Sequence, residues 1–241
     1  MTSGGFAAAY NAIAPRYETD SRTTLTASYG ASMGGAPDSI PLRLARGDKA
    51  DVVIMARAGI EELAAKGLVD HASITDLVRS EIGMAVKANA PIPTIATRAA
   101  LMQTLLSAKS IGYSASASGT YLSTKVFPLL EIYPQIKSKL VRIETERVAA
   151  VVARGDVEIG FQQVSEILPV AGITFAGKLP ADLQLITIFS AGVVTMSQKK
   201  PAAQRFIAHI RAPQMAKTIR ATGLDPIAGV TRSLRKPAFQ R

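Results

Sequence analysis

Short runs rich in β-branched and aliphatic residues alternate along this chain with longer segments of helical periodicity. Residues 51–55, 82–86 and 111–114 are runs of the first kind, and segments with one apolar face lie between them. This alternation is typical of a mostly parallel sheet with helices on its faces. With 241 residues, 48% of them apolar, the chain can bury one large core or two modest ones. We therefore predict an α/β fold.

The individual elements follow from the same pattern and from the residues that end it. Strands are predicted at residues 24–29, 51–55, 82–86, 111–114, 141–143, 157–161, 185–189 and 192–196. Helices are predicted at residues 32–46, 59–66, 98–108, 147–154 and 201–222. A further helix begins near Ser118, and Pro128 should bend or end it because proline cannot donate to the helical ladder.

A short sequence, Ala-Arg-Gly-Asp, occurs at residues 45–48 and again at 153–156, each time between a predicted helix and a predicted strand. The glycine suits a helix C-cap. Two lobes with the same order of helix and strand would produce such a repeat.

If the chain crosses between lobes near residues 82–86 and again near 189–194, the first lobe is discontinuous. It would comprise residues 1–83 and 192–228, and the second lobe residues 84–191. Residues 229–241 are predicted to form a basic C-terminal tail.

Composition excludes several classes of site. Cysteine is absent and histidine occurs only at His71 and His209, so disulfides and the usual zinc ligand sets are unavailable. The chain has no Walker loop, no G-x-G-x-x-G and no H-E-x-x-H motif. We therefore expect no metal and no cofactor.

The formal charge of +10 invites a nucleic-acid interpretation, but the basic residues are scattered and aromatic residues make up only 5% of the chain. We interpret the charge as a source of solubility and of a mild attraction for anions, and we expect no nucleic-acid partner. No run approaches the ~20 apolar residues of a membrane span, so no membrane insertion is expected.

The first five residues lack the features of a secretory signal. Either the protein is cytoplasmic or a leader has been removed from this chain, and both alternatives stay open. Only Met1 and Thr2 precede Ser3, which leaves almost no room for a first strand.

Three segments rich in serine and glycine each lie where a strand is expected to give way to a helix. They are residues 2–5, 30–34 and 114–120. Backbone N–H groups at a helix start, with a hydroxyl beside them, form a site for negative charge. The alternative is that they are ordinary turns and N-caps.

Residues 30–34 also match the G-x-S-x-G motif of serine hydrolases, with Ser32 as the nucleophile. Such an enzyme needs a histidine on a late loop, and the only late histidine, His209, lies within a helical stretch. We therefore favour an anion-binding turn over a hydrolase at Ser32.

These segments, in this order, resemble the type 2 periplasmic solute-binding proteins of ABC importers, especially the molybdate-binding branch. The resemblance runs from Thr2 to about Pro226 and includes residues 3–6, 29–32, 50–54, 116–121, 153–161 and 222–224. It implies a two-lobed fold with mixed, mostly parallel sheets, flanking helices and a ligand cleft between the lobes.

The resemblance also implies a small anionic ligand, an ABC permease as partner, a monomer, and a periplasmic location if a leader is removed. The ligand-binding residues that it implies are Ser3, Gly4, Ser32, Arg57, Ser118, Gly119, Arg147, Val148, Gln162 and Gln163. Arg57 and the two glutamines depart from a molybdate site, and an arginine suits a carboxylate.

The same branch resembles an isomerase that moves the double bond of the tricarboxylate aconitate by proton transfer. That chemistry needs a base, for which the sequence offers Glu146 or Glu166. Our prediction is a solute-binding protein for a molybdate-like oxyanion or an organic carboxylate, with the isomerase as the alternative.

Overall fold

The computed structural model describes residues 1–33 and 35–227, and the strands among these residues form two sheets. In chain order the strands are β1 (Thr2–Ser3), β2 (Tyr29–Gly30), β3 (Val52–Ala56), β4 (Thr75–Ser80), β5 (Ile82–Lys87), β6 (Ile111–Ser114), β7 (Leu140–Ile143), β8 (Ile159–Gln163), β9 (Ile173–Lys178), β10 (Thr187–Val193) and β11 (Asp225–Pro226). The first sheet has the order β11-β4-β10-β3-β1-β2, and the second has the order β7-β6-β8-β5-β9.

Helices cover both sheets. They are α1 (Gly4–Ser21), α2 (Ile40–Ala45), α3 (Arg57–Ala65), α4 (Arg98–Ser107), α5 (Ala117–Tyr121), α6 (Phe127–Leu129), α7 (Tyr133–Ile136), α8 (Val148–Arg154), α9 (Val164–Ile167), α10 (Lys200–Ile210) and α11 (Ala216–Arg220). A π-helical turn at Leu122–Val126 joins α5 to α6, which ends at Leu129, directly after Pro128, as predicted. No helix within the described ranges is both long and apolar enough to span a bilayer.

Both sheets are mixed. Strands β1, β2 and β3 are parallel and β10 runs against β3, whereas β6, β7 and β8 are parallel and β5 runs against β8. The predicted α/β class is therefore confirmed. The chain enters the second sheet after a single residue, Glu81, and returns to the first sheet between β9 and β10. The lobe boundaries at residues 83 and 192 stay a prediction, and the terms first lobe and second lobe refer to the first and the second sheet with the helices packed on each.

Each sheet has its own apolar core, as expected of a two-lobed protein. In the first lobe Phe6, Ile13 and Phe189 are buried between α1, β10 and α10. In the second lobe Phe127 and Phe161 are buried where α6 and β8 pack together. Burial of such side chains contributes roughly 1.5–3 kcal/mol each to the free energy of folding.

The repeated Ala-Arg-Gly-Asp sequence marks the end of a helix in both lobes. Gly47 follows α2 with φ of 91°, and Gly155 follows α8 with φ of 89°, a conformation that glycine adopts without strain. Arg46 pairs with Asp48 in the first copy and Arg154 with Asp156 in the second. The predicted role of both glycines as caps is confirmed.

Two early predictions were wrong. Of the strand predicted at 24–29 only Tyr29 forms a strand, together with Gly30, because the partner β1 offers just two residues for pairing. The predicted helix at 32–46 begins only at Ile40, because Ser39 N–H bonds Ala36 O in a turn that contains Pro37.

Two late predictions also need correction. The strands predicted at 185–189 and 192–196 are one strand, β10, whose pairing with β3 runs without interruption from Phe189 to Val193. The helix predicted at 201–222 is broken at Pro213 into α10, a 3-10 turn and α11. Helix α1 and strands β4 and β9 were not predicted, and the basic tail at 229–241 lies outside the described residues.

The second core permits a direct test. Replacing fully buried Phe161 with alanine should lower the free energy of unfolding by about 3–5 kcal/mol, because it leaves a cavity. Leu129 in the same lobe is 53% exposed, so L129A should change it by less than about 1 kcal/mol. Urea unfolding followed by circular dichroism measures both, and equal effects would contradict this description of the core.

Candidate functional site

A cleft of about 210 Å³ lies between the two lobes, where strand ends and helix starts from both sheets meet. Its volume is below the ~300–1,000 Å³ typical of pockets for drug-sized ligands. Seven of the ten predicted ligand-binding residues line it. These are Ser3, Gly4, Ser32, Ser118, Arg147, Gln162 and Gln163. Ligand sites of open α/β sheets lie at such strand ends.

The structure does not bring the other three predicted residues to the cleft wall. Arg57 instead binds Glu61 and Asp76 at 2.8 and 2.5 Å. Gly119 packs so tightly on the Ser114 carbonyl that a side chain would not fit, and the Val148 side chain is buried in the second lobe. Gly119 therefore shapes the turn, and Arg57 is already neutralised by two carboxylates.

The first turn of α1 forms the first-lobe side of the cleft. Ser3 is its N-cap in an extended conformation, no acidic residue lies in the first turn, and the Ser3 side chain caps no backbone N–H group. Ser3 is only 2% exposed, and within the described ranges its Oγ has no hydrogen-bond partner. A buried polar atom of this kind is costly unless something binds it. The helix start and Ser3 Oγ together suit an anion.

Two further serine hydroxyls are held in place at the cleft. Ser32 Oγ accepts a hydrogen bond from the Ala56 N–H at 3.1 Å, which leaves its own proton free to donate. Ser118 Oγ lies 3.2 Å from Ser114 Oγ on β6. All three serines line the cleft, so both lobes present hydroxyl groups to it.

The two glutamines that end β8 have different partners. Gln162 Oε1 accepts from the Ala149 N–H at the start of α8, at 3.5 Å, and its amide hydrogen-bonds the Glu166 carboxylate. Gln163 Nε2 donates to Thr187 Oγ1 on β10 at 3.0 Å, while its Oε1 is buried without a partner among the described residues. Gln163 thus links the two lobes and keeps one acceptor at the cleft.

Arg147 is the basic residue of the cleft lining. It is the N-cap of α8 and half-buried, and among the described residues no carboxylate forms an ion pair with it. Its neighbour Glu146 instead binds Arg154 through both oxygens, at 2.7 and 2.9 Å. The Arg147 guanidinium is therefore available for a ligand carboxylate, which it can bind bidentately.

Glu166 places a carboxyl group in the same cleft, at the start of α9 and against Gly4 of α1, where a side chain on Gly4 would overlap it. Removal from water raises the pKa of Glu166 to about 7, although the Arg147 charge and the Gln162 hydrogen bond both act to lower it. A carboxyl group with a pKa near neutrality can both accept and donate a proton at physiological pH.

Sequence reasoning named Glu146 and Glu166 as candidate bases without choosing between them. The structure separates them, since the bidentate bond from Arg154 lowers the pKa of Glu146 while burial raises that of Glu166. It also adds Asp38 and Glu144 to the cleft lining, which the sequence did not single out. One available signal was position, because Glu144 and Glu166 follow the carboxyl ends of β7 and β8.

The hydrolase motif does not assemble a catalytic triad. Ser32 lies in a loop that ends at α2, and Gly34 lies outside the described residues. The His209 ring packs against Tyr17 in the first-lobe core, with the ring centroids 4.9 Å apart. In the part of the chain that the structure describes, no group of three or more metal-ligating side chains occurs.

Known proteins with a related sequence or fold include solute-binding proteins and an enzyme. The family model of the bacterial extracellular solute-binding proteins matches residues 1–225. An aconitate isomerase of a Pseudomonas species is 40% identical over 227 residues, which cover 94% of this chain and 87% of that protein.

Two solved structures share the fold at low identity. The periplasmic molybdate-binding protein of Azotobacter vinelandii has a TM-score of 0.73 at 18% identity, over 92% of this chain and 96% of that one. A sulfate-binding protein of Mycobacterium tuberculosis has a TM-score of 0.73 at 16% identity, over 94% of this chain and 85% of that one.

The raised pKa of Glu166 has a consequence for stability. The folded state holds a proton on Glu166 that the unfolded state releases near the ordinary value of 4.5, so the stabilisation present below that value is lost as the pH rises to about 7. Glu166→Gln removes this titration. The melting temperature of E166Q relative to wild type should therefore rise between pH 5 and pH 8, by about 2 °C or more.

Glu146→Gln is the matched control for the melting experiment. The pKa of Glu146 is lowered, so its contribution is already complete above its ordinary value of 4.5. The difference between E146Q and wild type should stay constant from pH 5 to pH 8. A constant difference for E166Q as well would show that Glu166 titrates normally.

Proposed function

The chain belongs to the bacterial extracellular solute-binding protein family, and on this premise we propose that its cleft binds a small organic acid with more than one carboxylate. The observation that carries this proposal is Arg147, a cation in the cleft lining that no described carboxylate neutralises. A guanidinium binds a carboxylate through two parallel hydrogen bonds, each stronger than a neutral one.

The opposite wall of the cleft supports a second carboxylate. There the Ser3 hydroxyl and the N–H groups of the first turn of α1 offer donors without an acceptor among the described residues. Arg147 lies in the second lobe and Ser3 in the first, so a ligand with carboxylates at both ends would touch both lobes. Such a ligand favours the closed arrangement by its differential affinity for it.

A polycarboxylate accounts for the cleft better than a molybdate-like oxyanion does. Hydroxyl and backbone donors alone suit an oxyanion, whereas Arg147 and the acid Glu166 add a cation and a proton donor. The relative that is 40% identical is an aconitate isomerase, whose substrate is a tricarboxylate. We therefore assign the ligand to the aconitate and citrate class, bound outside the cytoplasm as the family description implies.

Delivery of this ligand to an ABC permease is the role that family membership favours. A specific observation favours a second function on the same ligand, isomerisation of aconitate. Glu166 supplies the proton-transfer group that a pure carrier does not need, in contact with the cleft and with a pKa near neutrality.

In this isomerisation Glu166 alone can remove the proton from aconitate and return it. The Glu166 carboxylate takes a proton from the methylene carbon next to the double bond, and the electron pair spreads through the alkene into a carboxylate as a dienolate. Glu166 then returns the proton to the former alkene carbon, so the double bond moves by one position. Arg147 stabilises the charge that develops on the carboxylate.

Binding tests the first proposal. Isothermal titration of wild type with trans-aconitate, citrate, sulfate and molybdate should show binding of the tricarboxylates. Arg147→Ala should weaken it by about tenfold or more, because a hydrogen bond to a charged group contributes roughly 1.5–3 kcal/mol. Arg57→Ala is the matched control, since Arg57 is held by Glu61 and Asp76, and should leave the affinity unchanged.

The opposite pattern would contradict the ligand assignment. Binding of sulfate or molybdate alone, with no effect of R147A, would indicate an oxyanion carrier. Loss of tricarboxylate binding in R57A but not in R147A would move the site to α3.

Turnover tests the second function. Wild type should interconvert cis- and trans-aconitate in a proton NMR assay, and E166Q should lose at least about a hundredfold in rate, the lower range for a general acid–base group. E146Q, whose wild-type carboxylate binds Arg154, should keep its activity. Tight binding of aconitate by wild type without any interconversion would leave the chain as a carrier.

A further inference from the structure

We propose that Ser165 is a positioning residue that holds Glu166 in place by anchoring α9 to the first turn of α1. This inference rests on the proposed isomerase function for its kinetic consequence. Ser165 does not line the cleft, so it acts on the ligand only indirectly, through the groups that it holds together, Glu166 and the first turn of α1.

The anchor is a hydrogen bond between the lobes. Ser165 follows β8 of the second sheet, yet its hydroxyl donates to the Gly5 carbonyl of α1 at 2.7 Å, and the side chain is fully buried. The Gly5 carbonyl has two lone pairs and can accept this bond beside its helical one. Ser165 and Gly5 are 160 residues apart in the sequence, so the local geometry of the chain does not impose this hydrogen bond.

Two other contacts fix the position of α9, one at the crossing between the lobes and one in the first lobe. The Val164 N–H donates to the Glu81 carbonyl at 2.9 Å, and Glu81 is the single residue between β4 and β5. Gly223 of the first lobe, with φ of 82°, packs so closely on Val164 and Leu168 that a side chain there would approach both within 2.9 Å. Helix α9 therefore lies between the lobes, because Ile167 packs into the second-lobe core with Ala85 and Ala149, while Ser165, Val164 and Leu168 contact the first lobe.

The position of Glu166 depends on these contacts of α9. A single helical turn has little stability of its own, so its position depends on tertiary contacts. With α9 anchored, the Glu166 carboxyl lies against Gly4, where a side chain would overlap it. Release of the anchor would move the carboxyl away from α1 and toward water, and a 1 Å displacement of a reacting group can cost about a hundredfold in rate.

The test combines kinetics with a direct measurement on Glu166. Ser165→Ala should lower the kcat for aconitate by about tenfold to a hundredfold with little change in KM. In carbon-13 NMR of glutamate-labelled protein, with E166Q to assign the signal, the pKa of Glu166 in S165A should fall toward the ordinary value of 4.5. The other titratable groups that line the cleft are Tyr29, Asp38, Glu144, Glu146 and Arg147, and S165A leaves all of them in place.

Two further variants separate positioning from stability. Ser165→Thr keeps the hydroxyl and should restore both readouts. Ser197→Ala removes a buried hydroxyl that binds Asp51 away from the cleft, and it should lower the melting temperature without changing kcat or the pKa of Glu166.

A purely structural role for Ser165 would give S165A the behaviour of S197A, and that result would overturn the proposal. If S165A does not fold, Ser165→Cys, with its weaker donor, replaces it under the same criteria. If wild type shows no turnover, the isomerase function fails, while an unchanged pKa of Glu166 in the variant would separately overturn the positioning role.

Discussion

The contact between the first turn of α1 and the short helix α9 is the point on which the cleft depends. It joins the start of one lobe to the end of a strand in the other, through the bond from Ser165 to the Gly5 carbonyl. It also explains why glycine occupies position 4, since a side chain there would overlap Glu166, whereas a side chain on Gly5 would overlap the Phe189 ring of β10. Close approach of two backbones at this point permits both the free N–H groups of α1 and the desolvated acid to face one cavity.

The electrostatic balance of the cavity follows from how its charges are paired. Glu146 is neutralised by Arg154, and Arg57 is neutralised outside the cavity by Asp76 and Glu61. Arg147 and Glu166 remain as a cation without a close partner and an acid that burial keeps partly protonated near pH 7. Asp38 and Glu144 also line the cavity, and Glu144 binds Arg142, so the positive charge offered to an anion is local to Arg147 and to the helix-start donors of α1.

The sequence predicted most elements whose apolar pattern is local. Strand β3 was recognised as a short continuous apolar run and helix α3 as the helical segment that follows it, and the caps at Gly47 and Gly155 because glycine ends helices. Helix α1 was missed because Gly4, Gly5 and Pro15 are poor helix formers, and long-range packing against α9, α10 and α11 stabilises it. Strand β9 was missed because Gly177, with φ of 133°, interrupts its pattern.

Long-range contacts limited the prediction of the site in the same way. Serines at strand ends were found by their position and the glutamines through the family resemblance, whereas the choice of Arg147 over Arg57 depends on which carboxylates fold beside each. Asp76 reaches Arg57 from another strand, and Gly4 reaches Glu166 from the other lobe. Neither contact can be recognised from the pattern of a single sequence.

The chain passes between the two sheets twice, at Glu81 between β4 and β5 and again between β9 and β10. The Val164 N–H donates to the Glu81 carbonyl, so the start of α9 is tied to the first of these crossings. A rotation of one sheet relative to the other about the crossings would displace β6 and β7 farther than β5 and β8, because β6 and β7 lie farther away in the sheet order. Glu166, two residues after Val164, would therefore keep its position near the axis while the cleft opens for the ligand to enter or leave.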